Sequence, residues 1–200
     1  MLKYTDQPKL RATKRDASFV ARWTKCCPHA INRYQQGIRF TKLIMARIND
    51  VADYIVMKLH SGGVFVNVLK LHKLLYYVQS WNLAFGRGPL FEGRFQAWVH
   101  GPVSRDIYDR FVGEKTMYSA LSSNDIRGDF SIKDLTDQER AHIDAVLEVY
   151  GDFSGDQLEE MTHQEEPWLE ARGGLPGHVR SETLIRNETM QSFYAARLNG

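Results

Sequence analysis

The stretch "VLKLHKLLYYVQSWNLAFG", residues 68–86, decides the fold class. Leu71, Leu74, Leu75, Val78, Trp81 and Phe85 recur at three- and four-residue spacings, with Val68 one turn earlier, as on one face of an α-helix. Lys70, Lys73, Gln79 and Asn82 are its polar positions. Asn67 is placed to cap the first turn with its side-chain oxygen. Gly86 is placed to end the helix as the C′ residue. The apolar stripe is wider than a surface helix needs, so this helix is expected at the centre of the domain.

Upstream, "MARINDVADYIVMKL" from Met45 reads as the start of the folded body. Ile48, Val51, Ala52, Ile55, Val56 and Leu59 predict a second helix, ended by Gly62 and Gly63. Downstream, "GRGPLFEGRFQAWVHGP" breaks the helical period. Phe95, Ala97 and Val99 alternate with Gln96, Trp98 and His100, which predicts a short strand. Pro102 is expected at N1 of the next helix, "PVSRDIYDRFVG", because that position wastes no N–H. Val103, Ile107, Tyr108 and Phe111 share its inner face.

Residues 113–134 read as turns ("SSND", "RGD"), with "FSIKDL" as an edge strand. Thr136 and Glu139 form a capping box for a helix that turns Ile143, Val146, Leu147 and Tyr150 inward. Ser154 caps "GDQLEEMTHQ", which stops before Pro167, and Trp168 and Leu169 begin a short helical turn. "GGLPGH" is a loop, and Ser181 is expected to cap a last helix carrying Leu184, Ile185, Met190, Phe193 and Tyr194. The expected architecture is mostly α: a single compact helical domain of about six helices with one or two short β-strands, plus a basic N-terminal arm.

The net charge of +2 conceals an asymmetry. Residues 1–47 hold 11 Lys/Arg against Asp6 and Asp16, a net +9; the other 153 residues hold 15 against 22 Asp/Glu, a net −7. The arm is a solvated tail or a weak nucleic-acid contact. The longest apolar runs are a few residues, so no membrane span is expected. The basic start lacks an apolar signal-peptide core, and Cys26 and Cys27 are adjacent and have no third cysteine to pair with. A cytoplasmic protein is expected.

No P-loop and no G-x-S-x-G elbow is present. Cys26, Cys27 and His29 lack a second ligand pair at zinc spacing. His163 lies near Glu159, Glu165 and Glu166, where packing at a helix end is favoured over metal ligation. His100 before a helix start is better read as bonded to its own corner than as catalytic. Aromatic residues are the remaining signal: Tyr76, Tyr77, Trp81, Trp98, Tyr108, Tyr150 and Trp168. A binding module is expected rather than an enzyme, with no cofactor and no metal.

Three blocks in order, "KLHKLLYYVQSWNLAF", "PLFEGRFQAWVHGPVSRDIYDRF" and "LEEMTHQEEPWLEAR", resemble the Panacea-domain antitoxins, the SocA-like family also labelled phage-associated GepA-like. The resemblance covers about residues 46–195 and makes residues 1–45 a basic N-terminal extension to a domain over 46–200. It implies a bacterial or prophage antitoxin of a type II toxin–antitoxin system. Such an antitoxin binds a cognate protein toxin directly, and in the SocA case also delivers it to the ClpXP protease. The matching positions are Lys70, Leu71, Lys73, Leu74, Leu75, Tyr76, Tyr77 and Trp81; then Ala97, Trp98, Gly101, Pro102, Val103 and Tyr108; then Leu158, Thr162, His163, Glu165, Pro167 and Trp168. Where the family pattern has Gly between Glu165 and Pro167, this chain has Glu166. Candidate partner-binding residues are Tyr76, Trp81, Trp98, His100, Tyr108, His163, Glu165 and Trp168. The alternatives are a nucleic-acid-binding autoregulator acting through the arm and a small enzyme using His100 or His163.

Overall fold

A computed structural model describes residues 45–198. Its elements are α1 (Ile48–Ser61), α2 (Val68–Ala84), β1 (Phe95–Trp98), β2 (Gly101–Ser104), α3 (Arg105–Phe111), α4 (Asp137–Tyr150), α5 (Gly155–His163), α6 (Glu166–Arg172) and α7 (Asn187–Ala195), with short 3-10 turns between and after them. Seven α-helices and one two-stranded antiparallel sheet bear out the mostly α expectation among the described residues.

α2 is the axis of the fold. Asn67 Oδ1 accepts from the Lys70 N–H at 2.8 Å, as the sequence predicts. Every residue of α2 is buried, the polar positions included. The helix is therefore wrapped on all sides, by α1, α4, α5, α7 and the hairpin. Gln79 and Asn82 find partners inside the protein, as burial demands. Gln79 donates from Nε2 to the Phe91 carbonyl (3.1 Å) and accepts the Leu90 N–H on Oε1 (2.9 Å). Asn82 Nδ2 donates to the Gly88 carbonyl at 2.9 Å. These two side chains sew the loop after α2 back onto the helix. Aromatic rings fill the far side. Tyr77 stacks on Tyr150 with ring centroids 4.0 Å apart, and Trp81 Nε1 donates to the Tyr150 hydroxyl at 3.1 Å.

Three segments differ from what the sequence predicts. Pro102 does not start a helix: it lies in β2 opposite Ala97, and α3 begins at Arg105. The Ala97 N–H is given to the Thr183 carbonyl on the other side of β1 (2.8 Å), so Ala97–Pro102 is a non-hydrogen-bonded pair and proline's missing N–H costs the ladder nothing. "FSIKDL" forms no strand. Ser131 Oγ accepts the Lys133 N–H and Asp134 accepts the Ser131 N–H, and this local capping closes a 3-10 turn instead. Ser181 does not cap the last helix either. Residues 183–185 run beside β1, with the Ile185 N–H on the Phe95 carbonyl (2.8 Å) and a bridge from Leu184 to Gln96, so α7 starts only at Asn187.

The "RGD" loop has a structural use. Arg127 Nε donates to Asp53 (2.6 Å) and its Nη2 to Asp50, while Arg110 Nη2 donates to Asp53 at 2.5 Å. Asp50 and Asp53 are buried on α1, and the two guanidiniums neutralise them there.

Candidate partner-binding site at the hairpin

The family-like residues converge on the β1–β2 hairpin. Because Ala97 and Phe95 spend their polar groups on 183–185, the paired positions Pro102 and Ser104 turn theirs away from β1. This free edge is sealed by α2. Lys73 Nζ donates to the Pro102 carbonyl at 3.1 Å, and His72 Nδ1 accepts the Ser104 N–H at 3.3 Å. The consecutive His72 and Lys73 thus replace a missing neighbouring strand. Burial lowers the Lys73 pKa to about 7, with Glu159 acting in the opposite direction. Burial, and then the Lys73 charge, lower His72 to about 3, which suits a ring nitrogen that must stay unprotonated to accept.

The sheet register pairs Trp98 with Gly101 across the turn Val99–His100. Gly101 has φ +83°, and a Cβ there would sit 2.7 Å from Thr162 Oγ1 and 2.8 Å from Lys73 Cε. Both facts demand glycine. α6 clamps the hairpin from the other side. Trp168 Nε1 donates to the Trp98 carbonyl at 3.0 Å. Arg172 lies over the Trp168 ring and donates to the carbonyls of Val179 (2.7 Å) and Ala97 (3.4 Å).

What this clamped hairpin turns outward is aromatic. Gln96 and Trp98 share a face two residues apart, and Trp98 Nε1 donates to Gln96 Oε1 at 2.7 Å. The partly exposed Trp98 and Tyr108 rings meet edge-on at 4.8 Å, with the Arg105 guanidinium 5.4 Å from the Tyr108 ring. Leu184, 42 % exposed, bridges to Gln96 beside them. At the tip, His100 Nδ1 lies 3.3 Å from Glu159 Oε1.

The remaining candidates point elsewhere. Tyr76 and Trp81 are wholly buried, so they pack the core and offer a partner no surface. Trp168 is buried against the hairpin, and His163 stacks on it at 4.3 Å with its pKa lowered chiefly by burial. Glu165 turns its carboxylate inward, where it accepts from Tyr194 (2.6 Å) and Tyr77 (3.2 Å) hydroxyls. Burial raises it to about 7, against the pull of the Tyr194 bond. Glu165 has extended backbone and caps α6, while Glu166 is its first helical residue, so no glycine is needed at 166. Among the described residues no group of three or more His, Cys, Asp or Glu side chains could hold a metal ion. Cys26, Cys27, His29 and the basic arm lie outside the described residues.

Residues 71–169 match the family model described as antitoxin SocA-like, Panacea domain. Over these residues the chain is similar to the Panacea-domain family. The match runs from the second α2 turn through the hairpin to α6, the same elements that build the clamp. α1 and α7 lie outside it and pack on the matched stretch of α2. No curated protein and no solved structure matches the chain significantly. No helix among the described residues is long and apolar enough to cross a membrane.

His72, Gly101 as a steric contact of Lys73, and Arg172 escaped the sequence reading as site-shaping residues. The Lys73–Pro102, His72–Ser104 and Arg172–Ala97 bonds span 29, 32 and 75 residues of chain, beyond any local pattern.

Proposed function

We propose that this Panacea-like domain is a non-enzymatic antitoxin that neutralises a cognate protein toxin by direct binding, with the outer face of the hairpin as its contact surface. The observation that carries this reading is the partly exposed Trp98–Tyr108 pair on a hairpin clamped by Lys73, His72, Trp168 and Arg172. Rigid, partly exposed aromatics with a guanidinium beside them make strong interface anchors, because little side-chain entropy is lost when they are covered. The antitoxin-like family match supports the role.

The test is co-expression with the toxin encoded by the adjacent gene, read as growth and as a co-purified complex. The full chain restores growth and forms the complex. Trp98→Ala and Tyr108→Ala each weaken the complex by about 2 kcal/mol, roughly thirtyfold, without lowering the melting temperature by more than a few degrees. If the full chain neither restores growth nor co-purifies, the reading falls. Toxin half-life in cells with and without ClpX separates occlusion from delivery to the ClpXP protease.

A further inference from the structure

Residues 117–121 are laced along the start of α2. The Val68 N–H donates to the Ser119 carbonyl (3.2 Å), the Leu69 N–H to Met117 (2.7 Å) and the Leu121 N–H to Val66 (2.9 Å). α5 closes on the same turn: a Cβ on Gly155 would stand 2.9 Å from Asn67 Oδ1 and 3.2 Å from the Lys70 nitrogen. The backbone around Tyr118 is therefore fixed. Leu121 is buried and Met117 packs against the core, yet the Tyr118 ring is 57 % exposed. A large ring held out in solvent on a fixed backbone is the form of an interface anchor.

Its surroundings select the sign of the ligand. Tyr118 meets His100 edge-on at 6.0 Å, and His100 Nδ1 lies 3.3 Å from Glu159. Asp156 lies one turn before Glu159 on the same side of α5, and the tyrosine hydroxyl's pKa is raised first by partial desolvation and then by the charges of Glu159 and Asp156. The nearby ammonium groups are already engaged: Lys115 with Asp125 (2.9 Å) and Lys70 with the Phe65 carbonyl (2.9 Å). A ring face attracts a cation, and two carboxylates at its margin reject an anionic or plain apolar occupant.

We propose that Tyr118, Asp156 and Glu159 form a docking site for an arginine- or lysine-bearing segment of a partner protein. Reading that partner as the toxin rests on the antitoxin proposal; the cation site itself rests on the geometry around Tyr118. The charge of the body, net −7 over residues 48–200, draws such a segment in from a distance.

The test titrates the full chain with fluorescein-labelled nona-arginine, with nona-glutamate as the sign control, by anisotropy at low and physiological salt. Wild type binds nona-arginine and not nona-glutamate. Tyr118→Ala weakens binding by about tenfold and Tyr118→Phe by less than about twofold, since the ring and not the hydroxyl holds the cation. The double variant Asp156→Asn, Glu159→Gln loses a similar factor, whereas Asp137→Asn, an exposed acid at the start of α4, loses none. Circular dichroism confirms that each variant is folded. Equal affinity in wild type and Tyr118→Ala overturns the proposal, as does an equal loss in Asp137→Asn. No binding by wild type also overturns it, whether the site is inert or the chain's own basic residues 1–47 already fill it. If the peptide fails while co-expression still restores growth, the antitoxin reading stands without this site. If the peptide binds as expected and growth is not restored, the cation site stands and the antitoxin reading falls.

Discussion

Gly101 is where backbone, packing and buried charge meet. Its φ of +83° lies in the region that side chains disfavour, and its missing Cβ is the space that Lys73 Cε and Thr162 Oγ1 occupy. Gly101→Ala must strain the turn and push Lys73 off the Pro102 carbonyl. The expected cost is at least about 2 kcal/mol, read as a lower urea midpoint, and a midpoint equal to wild type would refute the steric account. Lys73 itself works at a loss in one pH range. Its folded pKa of about 7 lies below the ordinary 10.5, so its contribution is fully present above 10.5 and is lost as pH falls to about 7. Lys73→Met, which keeps the volume and removes the buried charge, is therefore expected to be most favourable relative to wild type below pH 7. That advantage shrinks as pH rises towards 10.5. A stability difference that does not change between pH 6 and pH 9 would contradict this.

At the scale of elements, short-range chemistry was legible and long-range pairing was not. Asn67, Thr136 and Ser154 announce their helices because each cap is closed within three residues. The α1 stripe and the centrality of α2 followed from period alone. Pro102 was misplaced because what holds it in a strand lies far off in sequence: Lys73 on α2, and Thr183, which takes the Ala97 N–H. Trp98 and Tyr108, named from the sequence as candidate contacts, are both partly exposed, although the helical period puts Tyr108 on the inner face. Trp81 lies on the predicted stripe of α2 and is buried there, whereas Tyr76 lies off that stripe and is covered by Phe95 of β1 and Tyr194 of α7. The acidic positions of α1 show the same limit. Asp53 is not among the stripe positions named for α1, yet it is buried and held by Arg110 and Arg127 from two later segments. Asp53→Ala leaves two guanidiniums facing one another without their shared carboxylate. It is expected to cost about 3 kcal/mol and to expose the 123–129 loop to proteolysis. An unchanged urea midpoint and cleavage pattern would show the network to be ornamental.

For the whole molecule, three buried groups set opposing proton balances around one core. His72 and His142 are neutral in the fold, with pKa values lowered to about 3 and about 4, in each case chiefly by burial. Their contribution is fully present above the unfolded value near 6.5 and is lost as pH falls through their folded values. Glu165 has the opposite sign. Its carboxyl is raised to about 7 by burial, so its contribution is fully present below about 4.5 and is lost as pH rises through 7. Between pH 6.5 and 4.5 the unfolded chain gains up to two protons on the histidines, while the native state holds one extra on Glu165. The net is about one proton, which limits the loss of stability to about 1.4 kcal/mol per pH unit. Below 4.5 the unfolded chain gains the Glu165 proton, but the native state begins to protonate His142 near 4, so the slope stays close to one proton. Glu165→Gln keeps an acceptor for the Tyr77 and Tyr194 hydroxyls but cannot titrate. Its stability relative to wild type is therefore expected to be highest near pH 8 and to fall steadily to pH 4.5, so the variant loses stability on acidification about twice as steeply between 6.5 and 4.5. Urea midpoints at half-unit steps from pH 4.5 to 8 measure this directly. Parallel curves for variant and wild type would mean that the carboxyl at the base of α6 is ionised in the fold, and that the tyrosine cage outweighs its burial.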